Sequence, residues 1–173
     1  MTPPDEEIAR LYKAHGPALL LYARQWADVA TAQDIVQVVF TRLLSSRRVP
    51  ADARPWLFQC VRHEAVSQFR SGQRRERRER SVAQSRADWF IVRFEDRLDA
   101  RAAQEALATL PLPQREIVVL RIWSGLTFGQ IADITGLALS NVHGQYQAAL
   151  AALAERLVAP CKDSNPPTKR SDR

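Results

Sequence analysis

Apolar residues recur at spacings of three and four along most of the chain, which is the period of amphipathic helices. The first half is predicted to hold helices over residues 5–14, 17–27, 32–45 and 54–70. His15-Gly16-Pro17 is a predicted break, and Thr31 is the predicted N-cap of the third helix. No segment of any length alternates with the period of two that a half-buried strand needs. The chain is therefore predicted to be all-α.

The stretch 111–157 carries the most specific pattern. A supporting helix is followed by Thr127 and Gln130 at capping-box spacing, then by Gly136 where a helix would end in a left-handed residue. Ser140 is the predicted cap of the last helix, which carries one apolar stripe formed by Val142, Tyr146, Ala149, Leu150, Leu153 and Leu157. Two helices around a glycine turn predict a helix-turn-helix, whose second helix enters the DNA major groove. Three packed helices without a DNA partner remain the alternative.

The formal net charge of +6 and the pI of about 10.0 favour a polyanionic partner. The charge is uneven along the chain. Ten arginines stand against four acidic residues between Arg47 and Arg80, whereas four arginines stand against five acidic residues between Asp99 and Ala159. The strongest predicted phosphate-binding surface is thus the end of the first half and the segment after it, rather than the helix-turn-helix.

These patterns divide the chain into two small helical domains joined by a basic linker. The predicted bounds are residues 1–71, a linker over 72–97, a second domain over 98–159 and a disordered tail over 160–173. Cys60 and Cys161 fit no metal-ligand spacing, so a reducing cytoplasm, no metal and no cofactor are expected. No apolar run approaches the roughly 20 residues of a membrane span, and no signal peptide is evident.

Four segments in this order resemble the RNA polymerase sigma factors of the extracytoplasmic-function group, across roughly residues 5–157. Ala32–Leu44 resembles the helix of that family that binds the polymerase clamp. Pro55–Arg70 resembles the segment that reads and melts the minus-ten promoter element. Leu110–Arg121 and Gly125–Ala132 resemble the domain that reads the minus-thirty-five element. The resemblance implies a bacterial initiation factor with a sigma region 2-like first domain and a region 4-like second domain.

The resemblance also implies roles for individual residues. The implied polymerase-binding residues are Asp34, Gln37 and Arg42. The implied DNA-binding residues are Arg54, Trp56, Arg62, His63, Arg70, Arg74, Arg75, Thr127, Asn141, His143, Gln145 and Gln147. Arginine suits the capture of melted promoter DNA because it neutralises phosphate and stacks on unpaired bases. Alternatives to these roles stay open. Trp56 can instead be a core residue, and Asp34 and Gln37 can be solvated polar residues.

The predicted recognition helix departs from the family, because no lysine or arginine lies between Arg121 and Arg156. Phosphate anchoring by the second domain should therefore be weak. Its amides can still pair with adenine in the major groove. Three outcomes stay open. One is that the second domain reads an altered upstream promoter element, another is that transcription depends less on an upstream element, and the third is that the domain binds a protein instead of DNA.

The implied partners are core RNA polymerase and promoter DNA, with an anti-sigma factor as a further partner that the family admits. The sequence contains no nucleotide-binding loop, metal cluster or nucleophile–base pair, so we expect neither an enzyme nor a small-molecule substrate. Membrane insertion is not expected either. Two alternative functions stay open. One is a sigma-like regulator that acts through protein contacts, and the other is a stand-alone helix-turn-helix repressor or activator.

Overall fold

The computed structural model of the protein describes residues 5–46, 49–78 and 105–158, and the described elements are helical. The predicted linker from residue 79 onward, the predicted start of the second domain at residue 98 and the predicted tail over 160–173 lie outside the described residues. The first domain consists of α1 (Asp5–Ala23), α2 (Val29–Ser45) and α3 (Ala53–Arg78).

The second domain begins its described part with helical residues 105–108. It continues with α4 (Leu112–Val118), which runs on as a π-helical turn over Val119–Trp123. The helix-turn-helix follows, as α5 (Phe128–Thr135) and α6 (Leu139–Val158). The all-α prediction is confirmed for the part of the chain that the structure describes.

The predicted break at His15-Gly16-Pro17 is wrong, because α1 is continuous and contains Pro17. Proline removes one helical hydrogen bond and crowds the carbonyl four residues earlier, at a cost of about 3 kcal/mol. The turns that follow Pro17 bury Leu19, Leu21 and Tyr22 almost completely. Burial of side chains of this size contributes about 1.5–3 kcal/mol each, so packing outweighs the proline.

Three predicted helix ends are also wrong by a few residues. Asp28, not Thr31, caps α2, since its carboxylate accepts the Thr31 backbone N–H at 2.8 Å. The last helix begins at Leu139, so Ser140 lies inside its first turn. Helix α3, which was predicted to end at Arg70, continues to Arg78, because the arginine- and glutamate-rich sequence there contains no proline to stop it.

The helix-turn-helix is built as its local sequence predicts. Thr127 accepts the Gln130 backbone N–H at 3.2 Å while the Gln130 side chain accepts the Thr127 N–H at 2.9 Å, which completes a capping box. Gly136 ends α5 in the left-handed region at φ 73°. The capping box and the left-handed Gly136 are both local features, so a short window of sequence suffices to specify them.

One hydrophobic core runs through both domains. It joins Leu19, Val39 and Leu57 of the first domain to Ile117, Leu120 and Ile131 of the second. A smaller cluster inside the second domain holds Leu107, Leu110, Val118 and Ala149. The described helices therefore form one packed body, with the second domain seated on α1 and α3.

Two glycines of the second domain provide a matched test of this backbone. We expect Gly136→Ala to destabilise the protein by about 1 kcal/mol, because alanine is strained at positive φ. We expect Gly144→Ala to stabilise it by about 0.5–1 kcal/mol, because Gly144 lies inside α6 with open space around it. Urea unfolding followed by far-ultraviolet circular dichroism measures both. Equal effects of the two substitutions would contradict the assigned turn.

Candidate nucleic-acid interface

One face of α3 carries a polar and cationic stripe. The residues that line it are Gln59, Arg62, His63, Val66, Ser67 and Arg70, at the three- and four-residue spacing of one helix face. The stripe borders a cleft of about 410 Å³, and Ile134 of α5 also lines this cleft. The fold thus brings together Arg62, His63 and Arg70, all of which were predicted to bind DNA.

Arg62 does not lie open to solvent on this stripe. Its Nε donates to Glu116 Oε1 of the second domain at 2.7 Å, and its side chain is only 30% exposed. Burial lowers the pKa of Arg62, but the hydrogen bond and charge of Glu116, together with Tyr22, leave this pKa raised. The guanidinium therefore stays charged and has an internal counter-charge in this conformation.

Glu116 accepts a second hydrogen bond, from the Tyr22 hydroxyl at 2.6 Å. Glu116 is 5% exposed and Tyr22 is fully buried, with its ring edge-on to Trp26 and Phe58. Burial first, and then the charge of Glu116, raise the pKa of Tyr22 well above the usual 10.0 of a tyrosine. Sequence patterns did not point to this cluster, because Tyr22 and Glu116 are 94 positions apart.

The start of α3 also meets the second domain. The Arg54 guanidinium lies close to Gly125, because a Cβ atom added at Gly125 would be 3.4 Å from it. Burial lowers the pKa of His15, and the positive charge of Arg54 lowers it further. Asp52 accepts a hydrogen bond from the Gln130 amide at 3.0 Å. Trp56 packs half-buried against the core, consistent with the alternative weighed for it.

The predicted polymerase-binding residues lie elsewhere, on α2. Asp34 and Gln37 are exposed, and they lie on the side of α2 away from the buried Val36 and Phe40. Arg42 forms an ion pair with Glu64 of α3 at 2.9 Å. This face stays open while the α3 stripe is partly covered.

The first turns of α6, the predicted recognition helix, present polar side chains without cations, and Arg156 lies in its last turn. Asn141, His143 and Gln147 are exposed and Gln145 is half-buried. The His143 ring centroid lies 4.0 Å from that of Phe128, so His143 packs on α5 in this structure.

Two further polar groups of the second domain also have contacts within it. Thr127 uses its hydroxyl in the capping box. Arg121 lies over the Phe128 ring at 4.7 Å and donates to the Leu126 carbonyl at 2.8 Å. Arg74 and Arg75 belong to α3, but their side chains lie outside the described residues.

Two family models match the chain in the order of its domains. Residues 11–75 match "Sigma-70 region 2" and residues 100–153 match "Sigma-70, region 4". The chain is 29% identical over 153 residues to the ECF RNA polymerase sigma factor SigL of Mycobacterium tuberculosis, an alignment that covers 83% of this chain and 84% of SigL. The chain belongs to the extracytoplasmic-function sigma factors. Its function is accordingly that of an RNA polymerase sigma factor in transcription initiation.

Other comparisons agree with this family. The chain is 32% identical over 145 residues to a probable RNA polymerase sigma factor, RfaY, of Xanthomonas campestris pv. campestris. That alignment covers 76% of this chain and spans about a third (35%) of the RfaY sequence.

Two solved structures share the fold. The sigma factor RpoE of Bartonella quintana, crystallised with the anti-sigma factor NepR, superposes with a TM-score of 0.71 at 24% identity, over 88% of this chain and 98% of RpoE. CnrH, in complex with the cytosolic domain of CnrY, superposes with a TM-score of 0.58 at 24% identity and covers 90% of each chain.

None of the helices in the described ranges combines the length and the apolar character that crossing a membrane requires.

The raised pKa of Tyr22 predicts an alkaline limit to stability. An unfolded tyrosine ionises near pH 10.0, whereas Tyr22 in the folded protein keeps its proton to higher pH. The stabilisation is therefore complete below pH 10.0 and is lost as the pH rises toward the folded pKa. Urea unfolding of the wild type and Tyr22→Phe at about pH 8 and about pH 10.5 should show the wild type losing more stability. Parallel losses would contradict the buried phenol.

Proposed function

We propose that this sigma factor binds core RNA polymerase through the exposed face of α2 and contacts promoter DNA through the stripe of α3 and the polar face of α6. The observation that carries the proposal is the convergence of Arg62, His63 and Arg70 on one helix face in a chain of this family. Arginines at helical spacing can follow a phosphate backbone and stack on unpaired bases.

We propose a division of work between the two DNA-contacting surfaces. The α3 stripe would supply most of the phosphate contacts, because it carries the cations. The α6 face would supply base contacts, because Asn141, Gln145 and Gln147 carry amides that can pair bidentately with adenine. With no lysine or arginine between Arg121 and Arg156, upstream recognition would depend little on salt.

We further propose that the chain acts in the cytoplasm, in stoichiometric complex with core polymerase, and catalyses no covalent step itself. An anti-sigma factor is a proposed partner as well, since the fold resembles sigma factors that were crystallised with such proteins. The decisive test is transcription by core polymerase with the purified chain on a genomic template, with mapped start sites. Absence of promoter-specific transcripts would overturn the proposal.

The α2 assignment predicts a loss of polymerase affinity. We expect Asp34→Ala combined with Gln37→Ala to weaken binding to core polymerase by about tenfold, which is the loss of one or two interface contacts worth about 1.4 kcal/mol. Both side chains are exposed, so helicity should not change. Asp133→Ala, at an exposed site on α5, is the control. Fluorescence anisotropy with labelled sigma measures the affinity, and undiminished binding would remove α2 from the interface.

The α6 assignment predicts a gain. We expect Gln145→Arg to raise the affinity for duplex promoter DNA and to steepen its dependence on salt by about one unit of log–log slope, because one phosphate contact is added. Gln33→Arg adds the same charge on exposed α2 and serves as the control. Titrations of labelled promoter DNA at several salt concentrations measure both quantities. Identical slopes for the two variants would indicate that α6 does not enter a groove.

A further inference from the structure

His143 is the side chain through which the first turns of α6 can take up a positive charge. No lysine or arginine lies between Arg121 and Arg156, and the other two histidines of the chain, His15 and His63, belong to the first domain. Histidine is the residue type whose charge changes between about pH 5 and pH 8. The charge that the start of α6 presents to a ligand therefore depends on whether His143 carries a proton.

The His143 ring is supported on one side and open on another. Its centroid lies 4.0 Å from that of Phe128, and Phe128 also packs edge-on against Tyr146 at 5.2 Å. Thr127 caps the helix that Phe128 begins, so the ring beneath His143 belongs to a well-defined turn. His143 is exposed, and within the described part of the chain no hydrogen bond or ion pair engages its nitrogens. The imidazole can therefore bind a group outside the protein.

The helix backbone next to His143 is accessible as well. Gly144 is exposed, and no other element of the described structure lies within 4 Å of the place where a Cβ atom would stand. Glycine inside a helix is less stable than alanine, and internal packing gives no reason for it at this position. The missing side chain permits a close approach to the backbone of α6. Nothing at position 144 therefore keeps a phosphate group away from the imidazole.

A proton on His143 would place a second cation on the Phe128 ring. Arg121 already lies over this ring at 4.7 Å, where it also donates to the Leu126 carbonyl. An aromatic face attracts a cation, but two cations on one ring repel each other. The other ionisable groups on the elements that pack against α6 are Glu105, Arg115, Glu116 and Asp133. A phosphate group would offset the repulsion between the two cations, so bound DNA favours the protonated form of His143.

We propose that His143 is a proton-dependent phosphate contact of α6. The neutral imidazole donates one hydrogen bond and carries no charge, whereas the protonated ring donates from both nitrogens and attracts the phosphate. The complex with DNA then binds more protons than the free protein, so the affinity for upstream promoter DNA rises as the pH falls from about 8 to about 6. This inference rests on the proposed contact of α6 with DNA, and it names the condition that strengthens that contact.

The test uses holoenzyme reconstituted from core polymerase and the full chain, with a labelled duplex promoter fragment under conditions in which the duplex stays closed. Titrations at several salt concentrations are made at about pH 6 and about pH 8. We expect the ratio of wild-type to His143→Gln affinity to be about fivefold larger at the lower pH, within the tenfold per pH unit that one linked proton allows. The wild-type salt slope should be steeper than that of His143→Gln by about one unit at the lower pH only.

Two further variants complete the comparison. His143→Arg carries a permanent charge, so it should show the steeper salt slope at both pH values. His15→Gln removes a histidine from α1, away from α6, and should keep the wild-type response to pH. All variants should retain the wild-type helicity in circular dichroism.

An affinity ratio between wild type and His143→Gln that is equal at the two pH values would overturn the inference. A response to pH without a change in salt slope would overturn it too, because a phosphate contact must change both. The same titration with Gln145→Arg separates this failure from a failure of the proposed function. A steeper slope for Gln145→Arg beside an unresponsive wild type removes only the role of His143, whereas unchanged slopes for both Gln145→Arg and His143→Arg remove α6 from the DNA interface.

Discussion

A single carboxylate, that of Glu116, is the constraint on which the arrangement of this sigma factor depends. It is almost completely removed from solvent and accepts hydrogen bonds from Tyr22 and Arg62, which belong to two different helices of the first domain. A buried carboxylate without partners would cost several kcal/mol, so the second domain can occupy this position only where both donors meet it. The surrounding apolar core stabilises the contact between the domains, but the hydrophobic effect is not directional. The hydrogen bonds of Glu116 are directional and therefore specify one relative placement of the domains.

Inside the second domain, the approach of the two helices of the helix-turn-helix is determined by a different set of contacts. The supporting helix α4 passes into a π-helical turn over Val119–Trp123, and the Ser124 N–H then bonds the Val119 carbonyl at 3.3 Å. Arg121, which belongs to that turn, donates to the Leu126 carbonyl and lies over the Phe128 ring. The one arginine of the π turn is therefore bound within the domain that it supports.

The two domains carry different charges, and opposite charges meet where the domains pack against each other. The cations are concentrated on α3 and after it, and the second domain contributes the carboxylate that neutralises one of them. The first turns of α6 carry amides and a histidine, and the cation of this helix, Arg156, lies in its last turn. In an extended arrangement, α3 would dominate attraction to phosphate, while in the packed arrangement part of that attraction is satisfied internally.

The local sequence determined the helices and the helix-turn-helix, because their signals act within a few residues. The Thr127–Gln130 capping box, the left-handed Gly136 and the stripe on α6 that includes Val142 and Ala149 all follow from short-range rules, and each is found in the structure. The alignment of Arg62, His63 and Arg70 on one face of α3 follows from helical spacing in the same way. Local rules misplaced the break at Pro17, where packing competes with propensity, and three helix ends, at Thr31, Arg70 and Ser140.

Only the tertiary structure decided how the two domains meet and which cations are already engaged. Tyr22 and Glu116 are 94 positions apart, and nothing in either neighbourhood marks them as partners. The fold brings the carboxylate of Glu116 to Arg62, a contact that the sequence around Arg62 does not indicate. Long-range pairing of this kind depends on the summed packing of both domains and not on any local period, so the sequence by itself could predict the helices and their faces but not the contact between Glu116, Tyr22 and Arg62.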